Sequence, residues 1–356
     1  MIVVLLLAGA VLLVAGAEVL VRSASRLATV VGVSPLVIGL TVVAFGTSAP
    51  ELAVSIGATL EGRPDIAVGN VVGSNIFNVL FILGISALIM PLTVQAQLVR
   101  LDLPVMVAAS VLLLALAWNG VIGRWEALML LGGIVAYTGF LIRAGADRVE
   151  TQAAHATTGT APAARRSLSL AGTALGAVVG LVLLVIGSRW FVDGAASLAV
   201  RLGVSDALVG LTIIAAGTSL PEIATSVLAS LRGERDIAIG NVVGSNIFNI
   251  LGILGMCGLI APFGVAVAPS ILAFDLPIMI AVSLLALPIF ISGMRIGRGE
   301  GLLFLGYYAA YTTFVVLSAT QHDALSGFTS IMAFVVLPAT AAGLLIGFRR
   351  AGIHLS

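Results

Sequence analysis

The chain contains one long segment twice. Residues 39–84 and 210–255 align without a gap, and 31 of the 46 paired positions are identical at a constant offset of 171. A weaker likeness continues beyond them, as between residues 101–104 and 274–277. The identical positions are concentrated in glycines and polar residues, whereas the apolar stretches around them differ. Such a duplication indicates a role for those polar residues beyond packing.

The composition places this duplication in a membrane. Only 9% of the 356 residues are charged and 60% are hydrophobic, with a mean hydropathy of +1.20; soluble domains carry about 25% charged residues. The chain is therefore predicted to be an integral membrane protein, which excludes a soluble enzyme with a small anchor. A net charge of +1 argues against a nucleic-acid partner. Cys257 has no partner for a disulfide, and His155, His322 and His354 lie in polar loops or tails.

Apolar runs of spanning length predict an all-α, polytopic protein. They lie near residues 2–21, 36–60, 66–90, 103–119, 124–143, 171–192, 207–231, 237–261, 271–292, 299–319 and 327–348. The predicted organisation is a first five-span repeat, a polar linker, a second five-span repeat, and an extra C-terminal span with its tail, at residues 1–143, 144–170, 171–320 and 321–356.

An odd number of spans per repeat fixes the relation between the two copies. Five crossings leave the second copy upside down relative to the first. Inverted repeats are typical of secondary transporters, in which the substrate binds near the midplane where the copies meet.

Arginines predict the orientation. No basic residue precedes Arg22, so the first apolar run is a span and not a signal peptide. With the N-terminus outside, thirteen of the seventeen basic residues face the cytoplasm and four (Arg63, Arg124, Arg189 and Arg201) face outward. Because cytoplasmic loops are enriched in basic residues, the N-terminus is predicted outside and the linker cytoplasmic.

Polar residues form one stripe on each of four predicted helices. The second and seventh spans repeat the same face at i, i+3, i+4 and i+7, and the third and eighth each carry an i, i+4 pair. These residues are Ala44, Thr47, Ser48 and Glu51; Ala215, Thr218, Ser219 and Glu222; Ser74 and Asn78; and Ser245 and Asn249. A carboxylate in the bilayer needs a countercharge, and no arginine lies in these helix cores. The missing charge is predicted to be a transported cation.

Two prolines support a broken-helix site. Pro50 and Pro221 disturb the carbonyls of Gly46 and Gly217, and broken helices at membrane depth are tolerated where they line a cavity. The available ligands are all oxygens, which suit Ca²⁺ or Na⁺. Two glutamates carry a charge of −2, which one Ca²⁺ or two Na⁺ would neutralise, so one site can hold either ion in turn.

The motifs GTSAPE (46–51), GTSLPE (217–222) and GNVVGSNIFN (69–78 and 240–249) closely resemble the two alpha-repeats of the sodium/calcium exchanger family, within the calcium/cation antiporter superfamily. The resemblance is strongest to ten-span prokaryotic members and implies a plasma (inner) membrane location. It implies that Ca²⁺ is held by Glu51, Glu222, Thr47 and Thr218. It also implies sodium sites built from Ser48, Ser219, Ala44, Ala215, Ser74 and Ser245, and alternating access through sliding of the first and sixth helices.

Three features depart from parts of that superfamily. Some relatives have an aspartate where this chain has Asn249, which matches Asn78 and argues against potassium dependence. The linker is too short for the cytoplasmic calcium-sensing domains of animal exchangers. The eleventh span lies outside the ten-span core and has no predicted role.

Other polar residues have structural interpretations. Glu18 and Arg22 are spaced for an i, i+4 ion pair, Asp102 and Asp275 are predicted helix caps, and Glu126 and Glu300 lie in first turns that favour negative charge. Four more asparagines are either ligands or braces for the broken helices: Asn70, Asn75, Asn241 and Asn246.

The predicted function is an antiporter that exchanges Ca²⁺ for Na⁺, with no cofactor and no obligate protein partner. Proton-coupled Ca²⁺ exchange is the alternative, since Glu51 and Glu222 can be protonated, although proton-coupled relatives usually carry a GNxxE-type motif. A passive cation channel is less favoured because inverted, proline-broken halves imply an occluded site. An intramembrane enzyme is disfavoured because no histidine is available as a base.

Overall fold

The computed structural model describes residues 1–155, 169–202 and 215–350, and these form a bundle of helices. In chain order the helices are α1 (Ile2–Val31), α2 (Pro35–Thr47), α3 (Ala49–Leu60), α4 (Pro64–Ile89), α5 (Leu98–Leu116), α6 (Arg124–His155), α7 (Leu170–Arg201), α8 (Ala215–Gly217), α9 (Leu220–Leu231), α10 (Arg235–Ile260), α11 (Ile271–Ile291), α12 (Arg298–Ala319) and α13 (Ala324–Gly343). Helical backbone continues beyond α13 to Arg350. Within the described ranges, nine helices are long and apolar enough to cross a membrane, and α2 with α3 makes a tenth, bent span.

Most helices match the predicted spans closely, but some are longer. α1 and α7 are 30 and 32 residues long, about ten residues longer than their predicted spans. At 1.5 Å per residue they exceed the roughly 30 Å hydrocarbon core, so both must tilt or project from it. The start of the seventh predicted span, residues 207–214, lies outside the described residues.

The predicted helix breaks occur at Ser48 and Ser219. Helices α2 and α3 meet at Ser48 with a bend of 44°, and Ser48 leaves helical geometry at φ −78°, ψ 6°. Ser219 repeats this at φ −88°, ψ 8°. In each case the proline of the motif lies in the first turn of the following helix, where its missing N–H is not needed.

The centre of the bundle is formed by α4 and α10, whose most apolar segments are 72% and 83% buried. Each contains a π-helical turn, Asn78–Ile82 in α4 and Asn249–Ile253 in α10. Single π-turns inside α-helices are frequent at functional sites. The two turns begin at corresponding positions of the two repeats.

Helices α1 and α7 pack against each other through glycines. A Cβ on Gly16 would lie 2.8 Å from the carbonyl oxygen of Gly180, and one on Gly180 would lie 2.6 Å from the backbone nitrogen of Leu20. Gly9 and Gly187 face each other in the same way. The contacts run in opposite chain directions, so the helices are antiparallel. Only glycine permits this backbone approach.

Four two-residue strands, absent from the all-α prediction, join the repeats at the ends of the bundle. β1 (Leu92–Thr93) pairs antiparallel with β4 (Arg295–Ile296), and β2 (Val121–Ile122) pairs antiparallel with β3 (Val265–Ala266). Each pair contains one strand from each half of the chain, so both ribbons connect the first repeat to the second.

Two predictions about the surroundings of the core need correction. Helix α6 continues to His155, into the segment predicted as linker; residues 156–168 and His354 lie outside the described ranges. The capping role predicted for Asp102 and Asp275 is wrong, because the spans begin earlier, at residues 98 and 271. Asp102 instead accepts a hydrogen bond from the Tyr137 hydroxyl at 2.9 Å, and Asp275 from Tyr311 at 2.9 Å.

Other structural predictions are confirmed. Glu18 forms an ion pair with Arg22, and Glu126 and Glu300 lie in first turns. Glu300 Oε2 also accepts from the Gly297 N–H at 3.0 Å. Helix α13 contacts α12 through a hydrogen bond from the Tyr307 hydroxyl to Thr340 at 2.6 Å, and none of its most apolar segment is buried.

Candidate cation-binding site

The two glutamates lie in the interior, each beside a helix break. Glu51 and Glu222 occupy the first turns of α3 and α9 and are 1% and 0% exposed. None of the ion pairs between described residues includes either glutamate. Two carboxylates are thus buried without a protein cation among the described residues, which is costly unless a bound cation or a proton neutralises them.

Each glutamate is bound by a serine of the other repeat. Ser48 Oγ donates to Glu222 Oε1 at 3.0 Å, and Ser219 Oγ donates to Glu51 Oε1 at 2.9 Å. Ser219 also lies 3.3 Å from Ser74 Oγ on α4. The serines of the two helix breaks therefore connect the carboxylates across the interface between the repeats.

Most of the other predicted site residues are buried as well. Thr47, Ser74, Asn78, Thr218, Ser245 and Asn249 are all buried, as is Ala44. Ser245 Oγ donates to the Ala44 carbonyl at 3.4 Å. Ala215 begins the short helix α8, and its side chain is not among those the structure describes.

Two predicted ligand groups have protein partners in this conformation. Thr47 Oγ1 lies 2.9 Å from Asn241 Oδ1. The Gly217 carbonyl, predicted to be freed by Pro221, accepts from Ser188 Oγ on α7 at 2.7 Å. The proline break therefore joins this part of the site to one of the two long helices.

Four oxygens of the site have no hydrogen-bond donor among the described residues. They are Glu51 Oε2, Glu222 Oε2, Asn78 Oδ1 and Asn249 Oδ1. The other buried atoms without partners there belong to Ser86, Thr225 and Arg235, groups that can donate. Most buried polar groups are satisfied, so these four unsatisfied oxygens on four helices are candidate ligands for a hard cation.

The second asparagine of each GNVVGSNIFN segment contacts asparagines of the opposite repeat. Asn75 and Asn246 hydrogen-bond to each other and to Asn249 and Asn78. The choice between a ligand and a brace could not be made from the sequence, because the partners come from opposite repeats.

Comparisons with known proteins identify the family. The family model described as sodium/calcium exchanger protein matches residues 1–143 and 172–317. The chain belongs to the sodium/calcium exchanger family. Members of this family are antiporters and not enzymes, and this chain is classed with them. The resemblance predicted from the motifs is confirmed.

Individual relatives cover most of this exchanger. It is 38% identical over 279 residues to the inner membrane protein YrbG of Escherichia coli (strain K12), covering 76% of this chain and 83% of that protein. It is 38% identical over 302 residues to the sodium/calcium exchanger MaX1 of Methanosarcina acetivorans, covering 76% of this chain and 86% of that protein.

A solved structure shares the fold. The sodium-calcium exchanger NCX_Mj, soaked with zero Na⁺ and Ca²⁺, superposes with a TM-score of 0.75 at 30% identity, covering 88% of this chain and 98% of that one. The ten-helix architecture of the exchanger is thereby confirmed. The roles of its individual site residues stay predictions.

Proposed function

We propose that the protein exchanges Ca²⁺ for Na⁺ at the Glu51–Glu222 site. The observation that carries this proposal is the set of four buried acceptor oxygens without donors among the described residues. Two of them belong to carboxylates, so either one Ca²⁺ or two Na⁺ would neutralise the site. Competition for the same oxygens makes binding of the two ions mutually exclusive, as exchange requires.

The two repeats differ in exposure, which supports alternating access. In α4, Gly69 is exposed and Asn70 is partly exposed, whereas Gly240 and Asn241 in α10 are buried. The segments 69–78 and 240–249 are identical, so this difference comes from the parts of the molecule that pack against them. An exchange of the two environments would open the site to the other side of the membrane.

The orientation predicted from the arginines indicates which side of the membrane the exposed end of α4 faces. The loop between α3 and α4 would then face outward and the loop between α9 and α10 would face the cytoplasm. The exposed end of α4 is the outward one under this assignment. We propose Ca²⁺ extrusion from the cytoplasm of a prokaryotic cell, with Na⁺ entering. The names sodium/calcium exchanger and sodium-calcium exchanger printed for MaX1 and NCX_Mj support sodium as the counter-ion.

Gradient-driven flux tests the proposal. Proteoliposomes containing the full chain are loaded with Na⁺ and diluted into ⁴⁵Ca²⁺ medium without Na⁺, beside vesicles with a pH gradient alone and vesicles with no gradient. Uptake driven by the sodium gradient alone is expected. Uptake driven by the pH gradient without sodium would replace Na⁺ by H⁺, equal uptake in all three would indicate a channel, and no uptake would overturn the proposal.

A further inference from the structure

The four asparagines of the two GNVVGSNIFN segments form a closed hydrogen-bonded cluster between α4 and α10. Asn75 Nδ2 donates to the backbone carbonyl of Asn246 at 3.2 Å, and Asn246 Nδ2 donates to the backbone carbonyl of Asn75 at 3.3 Å. Asn249 Nδ2 donates to Asn75 Oδ1 at 3.1 Å, and Asn78 Nδ2 donates to Asn246 Oδ1 at 3.0 Å. All four side chains are at most 1% exposed.

The backbone carbonyls fix the orientation of every amide in this cluster. A carbonyl can only accept, so the atom of Asn75 beside the Asn246 carbonyl must be its NH₂ group. The remaining atom of Asn75 is then Oδ1, which can only accept, so Asn249 must turn its NH₂ group toward it. Asn249 Oδ1 is left without a donor among the described residues.

The same logic holds for the second half of the cluster. Asn246 Nδ2 is fixed by the Asn75 carbonyl, Asn246 Oδ1 accepts from Asn78, and Asn78 Oδ1 is the second unpartnered oxygen. Methionine sulfurs lie at corresponding places, with Met279 Sδ 3.7 Å from Asn75 Nδ2 and Met106 Sδ 3.5 Å from Asn246 Nδ2. A sulfur is a weak acceptor, which favours the same orientation.

We propose that Asn75 and Asn246 are positioning residues that turn the amides of Asn249 and Asn78 so that only oxygen faces the ion site. This inference rests on the proposed function, since it assigns a role to residues around the Glu51–Glu222 centre. An amide presents either an acceptor or a donor, and a donor facing the site repels a cation. Asn75 and Asn246 remove that ambiguity in both repeats through their hydrogen bonds to Asn249 and Asn78, without being ligands of the ion themselves.

Each positioning residue acts on one asparagine of the opposite repeat: Asn75 acts on Asn249, and Asn246 acts on Asn78. Removing Asn75 leaves the buried NH₂ group of Asn249 without its acceptor, and Asn249 gains an orientation that turns a donor toward the ion. A carboxylate at position 249 has no donor to misplace. Asn249→Asp should therefore correct the loss of Asn75, whereas a carboxylate at position 78 should not.

Three variants of the full-length protein test this pairing. They are Asn75→Leu, the matched double variant Asn75→Leu/Asn249→Asp, and the mismatched double variant Asn75→Leu/Asn78→Asp. The single variants Asn249→Asp and Asn78→Asp report the effect of the added charge alone. The Kd for ⁴⁵Ca²⁺ is measured by equilibrium dialysis in detergent, and KM and kcat are measured in proteoliposomes.

We expect Asn75→Leu to weaken Ca²⁺ binding by about three- to tenfold, the scale of one buried hydrogen bond, with KM raised and kcat at saturating Ca²⁺ retained. The matched double variant is expected to bind Ca²⁺ at least as tightly as Asn249→Asp alone. The mismatched double variant should keep the full loss relative to Asn78→Asp alone.

Equal losses in the two double variants would overturn the pairing and leave only a structural role for Asn75. Wild-type affinity in Asn75→Leu would also overturn it. Should Asn75→Leu not fold, Asn246→Leu makes the same test, with Asn78→Asp matched and Asn249→Asp mismatched. Absence of Ca²⁺ binding by the wild-type protein would instead contradict the proposed function, so the two failures are distinguishable.

Discussion

The oxygen ligands of each repeat depend on a residue of the other. Ser48 donates to Glu222 and Ser219 donates to Glu51, so neither carboxylate is held by the serine of its own motif. The residues themselves could be predicted from the sequence, because a repeated carboxylate without a countercharge is costly in a bilayer. The crossing of the partners could not be predicted, since it depends on how two distant helix breaks meet.

The carboxylates are the residues for which the strongest effect is expected. Glu51→Gln or Glu222→Gln keeps the volume and removes one of the two charges available for Ca²⁺. Loss of one member of a buried charged contact costs about 2–5 kcal/mol, so Ca²⁺ affinity should fall about 30-fold or more. Ca²⁺ flux into proteoliposomes measures the effect.

Glu126→Gln is the matched control, because this residue lies in the first turn of α6, away from the helix breaks. It should transport at the wild-type rate. Wild-type flux in both Glu51→Gln and Glu222→Gln would contradict the site assignment.

Asp102 and Asp275 do not cap helices, and tyrosines from other helices bind them instead. A proline two residues after an aspartate is typical of a helix start, but the helix at Asp102 already begins at Leu98, with a π-helical turn before the proline. The hydroxyl that binds Asp102 comes from Tyr137, 35 positions away. Local spacing holds no information about that contact.

The helix breaks are the elements that the sequence predicted best. A proline four residues after a glycine specifies the break through local sterics alone, and the observed bend lies between these two residues. The observed helices α1 and α7 continue past the predicted spans, because each predicted run ends directly before a charged residue, Arg22 in α1 and Asp193 in α7. The extended end of α1 contacts the rest of the bundle, as in the hydrogen bond from Ser25 to Glu234 at 2.9 Å.

The close contact between α1 and α7 predicts that a larger side chain there lowers stability, although it lies away from the candidate ion site. Gly16→Leu places a side chain where a Cβ already lies 2.8 Å from the backbone of α7. Overpacking typically costs about 1–3 kcal/mol, so the thermal unfolding temperature in detergent should fall.

Gly132→Leu in α6 is the control for this substitution, because none of the described residues comes within 4 Å of a Cβ there. It should leave the unfolding temperature almost unchanged. Equal temperatures for Gly16→Leu and Gly132→Leu would show that α1 and α7 are not in this contact in the membrane protein.

We expect that helix α13 can be deleted without loss of transport. None of its most apolar segment is buried, and the family match ends at residue 317. Removing residues 321–356 should therefore leave Ca²⁺ flux per reconstituted protein within about twofold, since surface contacts away from a core contribute little. A loss of flux with intact folding, measured by gel filtration, would assign the helix a role in transport.

At the scale of the whole molecule, two pairs of equivalent positions carry opposite charges in the two repeats. Glu18 on α1 is bound by Arg232 at the start of the α9–α10 loop, with Nε 3.0 Å from Oε2. The equivalent positions, 171 residues away in each direction, are Arg189 on α7 and Glu61 in the α3–α4 loop. Among the described ion pairs Arg189 does not appear, and Glu61 pairs with Arg63. Among the described residues, this ion pair between α1 and the α9–α10 loop therefore forms only beside the buried end of α10.

This difference predicts that Arg232→Glu favours opening of the α10 side. The variant places two carboxylates together at a partly exposed contact worth about 0.2–1 kcal/mol, so access should rise about 1.4- to 5-fold. In a Cys257→Ser background, Ile237→Cys at the buried end of α10 reports access through its rate of labelling by a polar maleimide.

The charge-swapped variant Glu18→Arg/Arg232→Glu is the control and should restore slow labelling, because the attraction is restored with the signs exchanged. Faster labelling in the swapped variant, equal to that in Arg232→Glu, would show that the loop and not the ion pair sets access. The inverted topology behind this prediction came from an odd number of spans. Which side is closed is a property of the conformation and is not encoded in identical segments.

The glycine contacts between α1 and α7 also have a consequence for the sodium gradient of the cell. In the proposed alternating access, two helices in backbone contact along their length would move as one body, so a movement that uncovers one side of the site would cover the other. A membrane that contained many copies would then lose no sodium gradient through copies that are not transporting. Small residues on α1 and α7, outside the proposed ion ligands, would thereby limit the sodium leak of the whole membrane.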